Sequence, residues 1–135
     1  MLRWKEKGSD LVFGPHQASD GSLRVMALVT LLLQPQEHQP SVLILDEPEL
    51  GLHPSAIELV AGLIRAVSNT TQVIVATQSA NFVDYFDPED LVVVNRPDRE
   101  SCFERLDAGR LDKWLEDYSL AELWEKNVLG GRPIS

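Results

Sequence analysis

Two short apolar runs constrain this chain more than any other feature. SVLIL (41–45) and QVIVAT (72–77) are continuous, rich in branched residues and too short to be buried helices. Unbroken apolarity of this kind suits a strand covered on both faces of a parallel sheet better than an edge strand. Between the runs, Ile57, Val60, Leu63, Ile64 and Val67 recur at helical spacing, ending near Asn69. Pro54 suits a first helical turn after His53, while Ser55 and Glu58 offer a capping box, so either can open the helix. Strand, helix, strand at this spacing is a βαβ unit, with parallel strands and a right-handed crossover.

The remainder adds helices and a hairpin. Ser19 or Asp20 can cap a helix running to about Gln34, apolar on nearly every face and therefore expected to be largely buried. Residues 1–18 are expected to be irregular, because Gly8, Gly14 and Pro15 break any period. SANFVDYF reads as a short helix. LVVVN (91–95) and SCFERL (101–106) read as strands around the turn RPDRE. Asp112–Tyr118 and Leu120–Lys126 read as short helices, with Trp114 and Trp124 as core anchors, before a frayed GGRPIS tail. The expected fold is α/β: parallel core strands, flanking helices, and a C-terminal β-hairpin plus short helices, in one domain over residues 1–135.

The net charge of −9 argues against a broad nucleic-acid-binding face. The single Cys102 cannot form an internal disulfide, which fits a reducing compartment, and its place in an apolar strand predicts an inert thiol. MLRWKEKGSD lacks the apolar core of a signal peptide, and LRVMALVTLLL holds Arg24 and is too short to span a bilayer. A soluble, cytoplasmic protein with no membrane partner is expected.

The first apolar run stops on Asp46 and Glu47. Ligands collect at the carboxyl ends of strands in open parallel sheets. One carboxylate there can hold a hydrated Mg²⁺, and the other can polarise an attacking water. Ser19-Asp20-Gly21 sets a hydroxyl and free N–H groups at a helix start, a receptor for a terminal phosphate or else an ordinary cap. The second run ends on Gln78-Ser79, where the Gln78 amide can reach a phosphate or a water, or simply belong to a loop. His53 is better read as a helix-entry residue than as a metal ligand, and His16 and His38 show no ligand spacing.

Taken in order, these residues resemble ABC-type ATPases, and within them the RecF/OLD-like AAA-family ATPases, SMC-related enzymes with an SDG-T-LR, LDEPE-GLHP and T-[HQ]-S pattern. Ser19-Asp20-Gly21 looks like the signature motif, VLILDEPE like the Walker B strand with its catalytic Glu, LGLHP like the D-loop, and VIVATQS like the switch strand. WLEDYSLAELW is similar to the C-terminal end of that group, so the resemblance covers nearly the whole chain. It implies part of a P-loop NTPase sheet and the cofactors ATP and Mg²⁺. Ser19 and Gly21 would contact the γ-phosphate of ATP held by an opposing subunit. Asp46 would support Mg²⁺, Glu47 would activate water, and Gln78 would take the switch position. The resemblance also implies a head-to-tail ATPase dimer partner, with DNA as an indirect partner in repair or in defence against foreign DNA.

The sequence departs from that pattern in three places. It holds no G-x-x-x-x-G-K-[ST] and no Gly-Lys dipeptide, so the Walker A lobe is expected to lie outside it, through a truncated or split gene or a cut chain. Alone, the chain is then expected to bind ATP poorly, hydrolyse little, and be poorly soluble or oligomeric through an exposed sheet edge. Gln78 stands where most ABC ATPases have His, and Asp20 where the signature has Gly. Two other readings compete: a non-catalytic module docking on an intact ATPase, and a metal-dependent phosphohydrolase using Asp46, Glu47, Glu49 and His53.

Overall fold

The computed structural model describes residues 3–131, which divide into two compact units meeting in sequence between Ala76 and Thr77. The first unit opens with a two-stranded antiparallel ladder where an irregular segment was expected. β1 (Trp4–Lys5) pairs with β2 (Val12–Phe13) in the register Trp4 to Phe13. Short as they are, these strands are pinned by Trp4 stacked on Phe13 at 5.9 Å and by Lys5 paired with Asp10 at 2.6 Å. Gly8, which seemed only to break a period, occupies the reversal with φ +88°.

α1 (Asp20–Leu32) follows, then β3 (Val42–Asp46), α2 (Pro54–Val67) and β4 (Gln72–Ala76). β3 and β4 pair in parallel from Val42–Gln72 to Asp46–Ala76, so the βαβ expectation is met. α1 packs against α2. The helix α2 buries Val60, Ala61, Ile64 and Val67, and β3 buries Leu45.

Two burial expectations fail in this first unit. The strands alternate rather than being covered on both faces: Leu43 and Leu45 turn in, while Val42, Ile44 (69% exposed) and Ile74 lie open. α1 buries only Leu32, because a single neighbouring helix shields one stripe of an all-round apolar surface.

The second unit holds α3 (Ala80–Val83), β5 (Val92–Asn95), β6 (Cys102–Arg105), α4 (Ala108–Leu115) and α5 (Leu120–Glu125). β5 and β6 form the expected hairpin, Asn95 opposite Cys102, around a turn with Asp98 and Arg99 at positive φ. The core is Phe82, Val83, Leu111, Leu120, Ala121 and Leu123, with α3 packed on α5. Trp114 is not a core anchor, being 46% exposed beside Tyr118, and Trp124 is half-buried. Cys102 is likewise exposed, since all of β6 faces solvent. α4 begins four residues before the expected start because Asp107 caps it, accepting from Gly109 N–H at 3.1 Å. Of the tail expected to fray, Gly131 is tied to Asn95 Oδ1 at 2.7 Å. The residues from 132 on lie outside those described.

Candidate functional site

β3 carries Asp46 to the end of the parallel pair, opposite Ala76, and leaves it exposed. The ladder continues one bond further, with Glu47 N–H donating to Ala76 O at 2.8 Å. Glu47 does so from φ +43°, the left-handed region that residues with a side chain seldom occupy. The change of handedness ends the strand between the two acids, so Asp46 is its last residue and Glu47 opens the turn.

A tight double turn follows. Leu50 N–H donates to Glu47 O and Leu52 N–H to Glu49 O, both at 3.1 Å, and Gly51 takes φ +75°. Pro48 is buried, and so is Glu49, at 6% exposed. His53 then caps α2, its Nδ1 accepting from Ser55 N–H at 3.3 Å and lying 2.9 Å from Ser55 Oγ. The helix therefore starts at Pro54, and the Ser55–Glu58 capping box does not form.

The start of α1 lies against this turn. Ser19 is the N-cap: its Oγ accepts from Ser22 N–H at 3.1 Å and sits 2.9 Å from Ser22 Oγ. With Ser22 N–H taken by the cap and Leu23 N–H by Ser19 O, the N–H groups of Asp20 and Gly21 have no acceptor within the helix. A side chain at Gly21 would place its Cβ 2.6 Å from Gly51 O, so only glycine allows this approach. Arg24 Nη1 donates to Leu50 O at 3.2 Å.

Ser19, Gly21, Asp46 and Glu47 thus belong to one unit, linked through the turn at Leu50–Gly51. Gln78 belongs to the second unit, where it is exposed ahead of a short capped helix: Ser79 N–H donates to Thr77 Oγ1 at 3.0 Å, and Ser79 Oγ accepts from Phe82 N–H at 3.3 Å. Two features escaped the sequence reading. The left-handed Glu47 carries no composition signal. Arg24 did, as the one basic residue in a long apolar helix.

Among the described residues no three His, Cys, Asp or Glu side chains gather as a metal cage. The set Asp46, Glu47, Glu49 and His53 is not a ligand cluster, since Glu49 is buried and His53 caps a helix. A single exposed carboxylate still suits Mg²⁺, which keeps waters and takes phosphate oxygens beside one or two acids. No helix among the described residues is long and apolar enough to cross a membrane.

A solved structure from work on ATP-driven dimerization and DNA-stimulated activation of SMC ATPases superposes with a TM-score of 0.64 at 23% identity, over 85% of this chain and 70% of that one; the two share an α/β fold. The energy-coupling factor transporter ATP-binding protein EcfA2 of Staphylococcus epidermidis is 34% identical over 85 residues, 61% of this chain and 28% of the relative. A Mycoplasma genitalium protein described as a “Putative ABC transporter ATP-binding protein” is 30% identical over 83 residues, 62% of this chain and 22% of the relative. The chain thus spans about a quarter of the length of these curated relatives. Residues 2–84, which take in α1, the carboxylate pair and the βαβ unit, match the family model described as “AAA domain, putative AbiEii toxin, Type IV TA system”, and the chain belongs to this AAA-domain family.

Proposed function

We propose that this chain is the C-terminal lobe of an ABC/AAA-type ATPase and supplies half of a composite ATP site. The observation that carries the reading is the joining of a carboxylate pair, exposed Asp46 and half-buried Glu47, at the end of a parallel strand to a helix N-terminus. Asp46 ends β3, Glu47 opens the turn that follows, and that turn abuts Gly21 at Gly51 O. Asp46 suits one ligand position on a hydrated Mg²⁺, which when bound would neutralise phosphate charge. Glu47 suits the base that orients and activates a water. The outward N–H groups at Asp20 and Gly21, with the Ser19 hydroxyl, suit a γ-phosphate presented by another subunit. Gln78 supplies a neutral hydrogen-bonding group at the switch position.

The phosphate-cradling loop comes from a segment or chain outside this sequence, which contains no Gly-Lys pair. A head-to-tail ATPase dimer with two shared nucleotides follows. Its work in DNA repair or in defence against foreign DNA rests on the RecF-like motif pattern.

The test is made on the native assembly recovered from its source, its intact mass measured first. A species much heavier than 15.1 kDa, or a stable partner carrying a P-loop, is expected. In that assembly Glu47→Gln should abolish ATP turnover while leaving ATP bound. Full turnover by the variant would end the catalytic reading and leave a docking module in its place. Stimulation of the wild-type assembly by duplex DNA tests the DNA assignment separately.

A further inference from the structure

The geometry points to Arg24 as a positioning residue that sets the backbone of Glu47 by holding the intervening turn against α1. It rests on reading Glu47 as the water-activating carboxylate.

Three contacts form a short relay. Arg24 Nη1 binds Leu50 O at 3.2 Å, and the Leu50 N–H in turn binds Glu47 O at 3.1 Å. Gly21, one helical turn before Arg24, meets Gly51 O so closely that no Cβ fits. The turn is therefore touched by α1 at two successive carbonyls, Leu50 and Gly51. At its far end Glu47 sits at φ +43°, a conformation that costs about 1 kcal/mol or more and persists only where surroundings enforce it. Its ladder bond to Ala76 O fixes the N–H side of Glu47, and the turn fixes the carbonyl side.

The choice of Arg follows from the geometry. Leu50 O is exposed to competition from water, since Leu50 itself is exposed. A charged donor makes a stronger bond to a carbonyl than a neutral one does. Lysine keeps that charge, whereas methionine keeps the aliphatic stem and loses the donor. The Gly21 approach explains why the reach is short: α1 runs close enough to the turn for a side chain one helical turn further on to span the gap.

The relay gives α1 a second role beyond its N-terminal N–H groups. Movement of the helix start shifts Leu50 and Gly51 and reaches the backbone of Glu47 without passing through the sheet.

The test is heteronuclear NMR on the full chain carrying Ile44→Lys, a substitution on the open face of the sheet that suppresses self-association, comparing that parent with the same chain bearing Arg24→Lys, Arg24→Met or Gly21→Ala. The Glu47 Cα and Cβ shifts report its φ, and amide exchange at Leu50 and Leu52 reports the turn. Arg24→Met should move the Glu47 shifts toward negative φ and speed exchange at Leu50 and Leu52 on the order of five-fold, the effect of losing one hydrogen bond. Exchange at Leu45 and Val75 should stay unchanged. Arg24→Lys should restore the parent's shifts. Gly21→Ala should displace the same shifts with Arg24 intact, because the added methyl drives the turn from α1. Unchanged Glu47 shifts in both Arg24→Met and Gly21→Ala would overturn the assignment, as would failure of lysine to rescue. No step requires ATP turnover, so failure of the ATPase reading is separately visible.

Discussion

Glu47 donates its backbone N–H to Ala76 O, 2.8 Å away, from a left-handed backbone at φ +43°. The bond extends the β3–β4 ladder while the φ angle ends the strand, so the second acid is held in a conformation its side chain opposes. Glycine carries no such penalty. Glu47→Gly should therefore raise stability: relief of roughly 1 to 2 kcal/mol of left-handed strain outweighs about 0.4 to 1 kcal/mol of added unfolded-state freedom. Urea denaturation should show a gain of up to about 1.5 kcal/mol, with Glu47→Gln near wild type. A Gly variant less stable than Gln would mean that the side chain contributes more to the fold than its backbone costs.

How much of this could be read from the residues differs by region. The βαβ unit was legible because SVLIL, the helical stripe of α2 and QVIVAT encode it in local pattern. The hairpin β5–β6 was legible for the same reason. The alternating exposure of β3 was not, because an unbroken apolar run says which residues tolerate burial without saying how many layers cover them. Trp114 misled in a similar way, since a large aromatic in a short amphipathic helix suggests a core anchor while its own face is partly open. Asp46 and Glu47 announced themselves by following an apolar run. The contact from α1 to Leu50 and Gly51 joins residues 26 or more positions apart, and no local pattern reports it.

The second unit offers a cleaner case of long-range capping. Asp84 Oδ1 accepts from Ala121 N–H at 2.7 Å, while Ser119 and Glu122 close a capping box on the same short helix. The first N–H groups of a helix need acceptors, and here one comes from a residue 37 positions away. Asp84→Ala should cost about 1 to 2 kcal/mol by thermal or chemical unfolding, and Asp84→Asn, which keeps an acceptor, about half of that. Equal losses from both would assign the effect to charge.

Gly131 combines two constraints that a double mutant can separate. Its φ is +76°, and a Cβ there would stand 2.8 Å from Val93 Cγ1. Gly131→Ala should destabilise by about 1 to 3 kcal/mol, from left-handed strain together with overpacking. In a Val93→Ala background the clash is gone and only the strain remains, so the cost of Gly131→Ala should fall to about 1 kcal/mol. Full additivity of the two substitutions would show that the tail has moved off β5.

The face of β3–β4 bearing Val42, Ile44 and Ile74 is open, with Ile44 and Ile74 adjacent in register. Parallel sheets are ordinarily covered on both faces, and contiguous exposed apolar surface drives association. The wild-type chain at micromolar concentration should therefore sediment as a mixture larger than a monomer. Ile44→Lys puts a charge at the centre of the patch. Because Ile44 is 69% exposed, the substitution should change stability by no more than about 0.5 kcal/mol. Sedimentation velocity should then show the variant shifted toward a 15.1 kDa monomer with the same unfolding midpoint. A wild-type chain that already sediments as a single sharp monomer would remove the patch as an association surface. A variant that still self-associates would move the contact elsewhere, with the exposed hairpin face of Val92, Val94 and Phe103 next to be substituted.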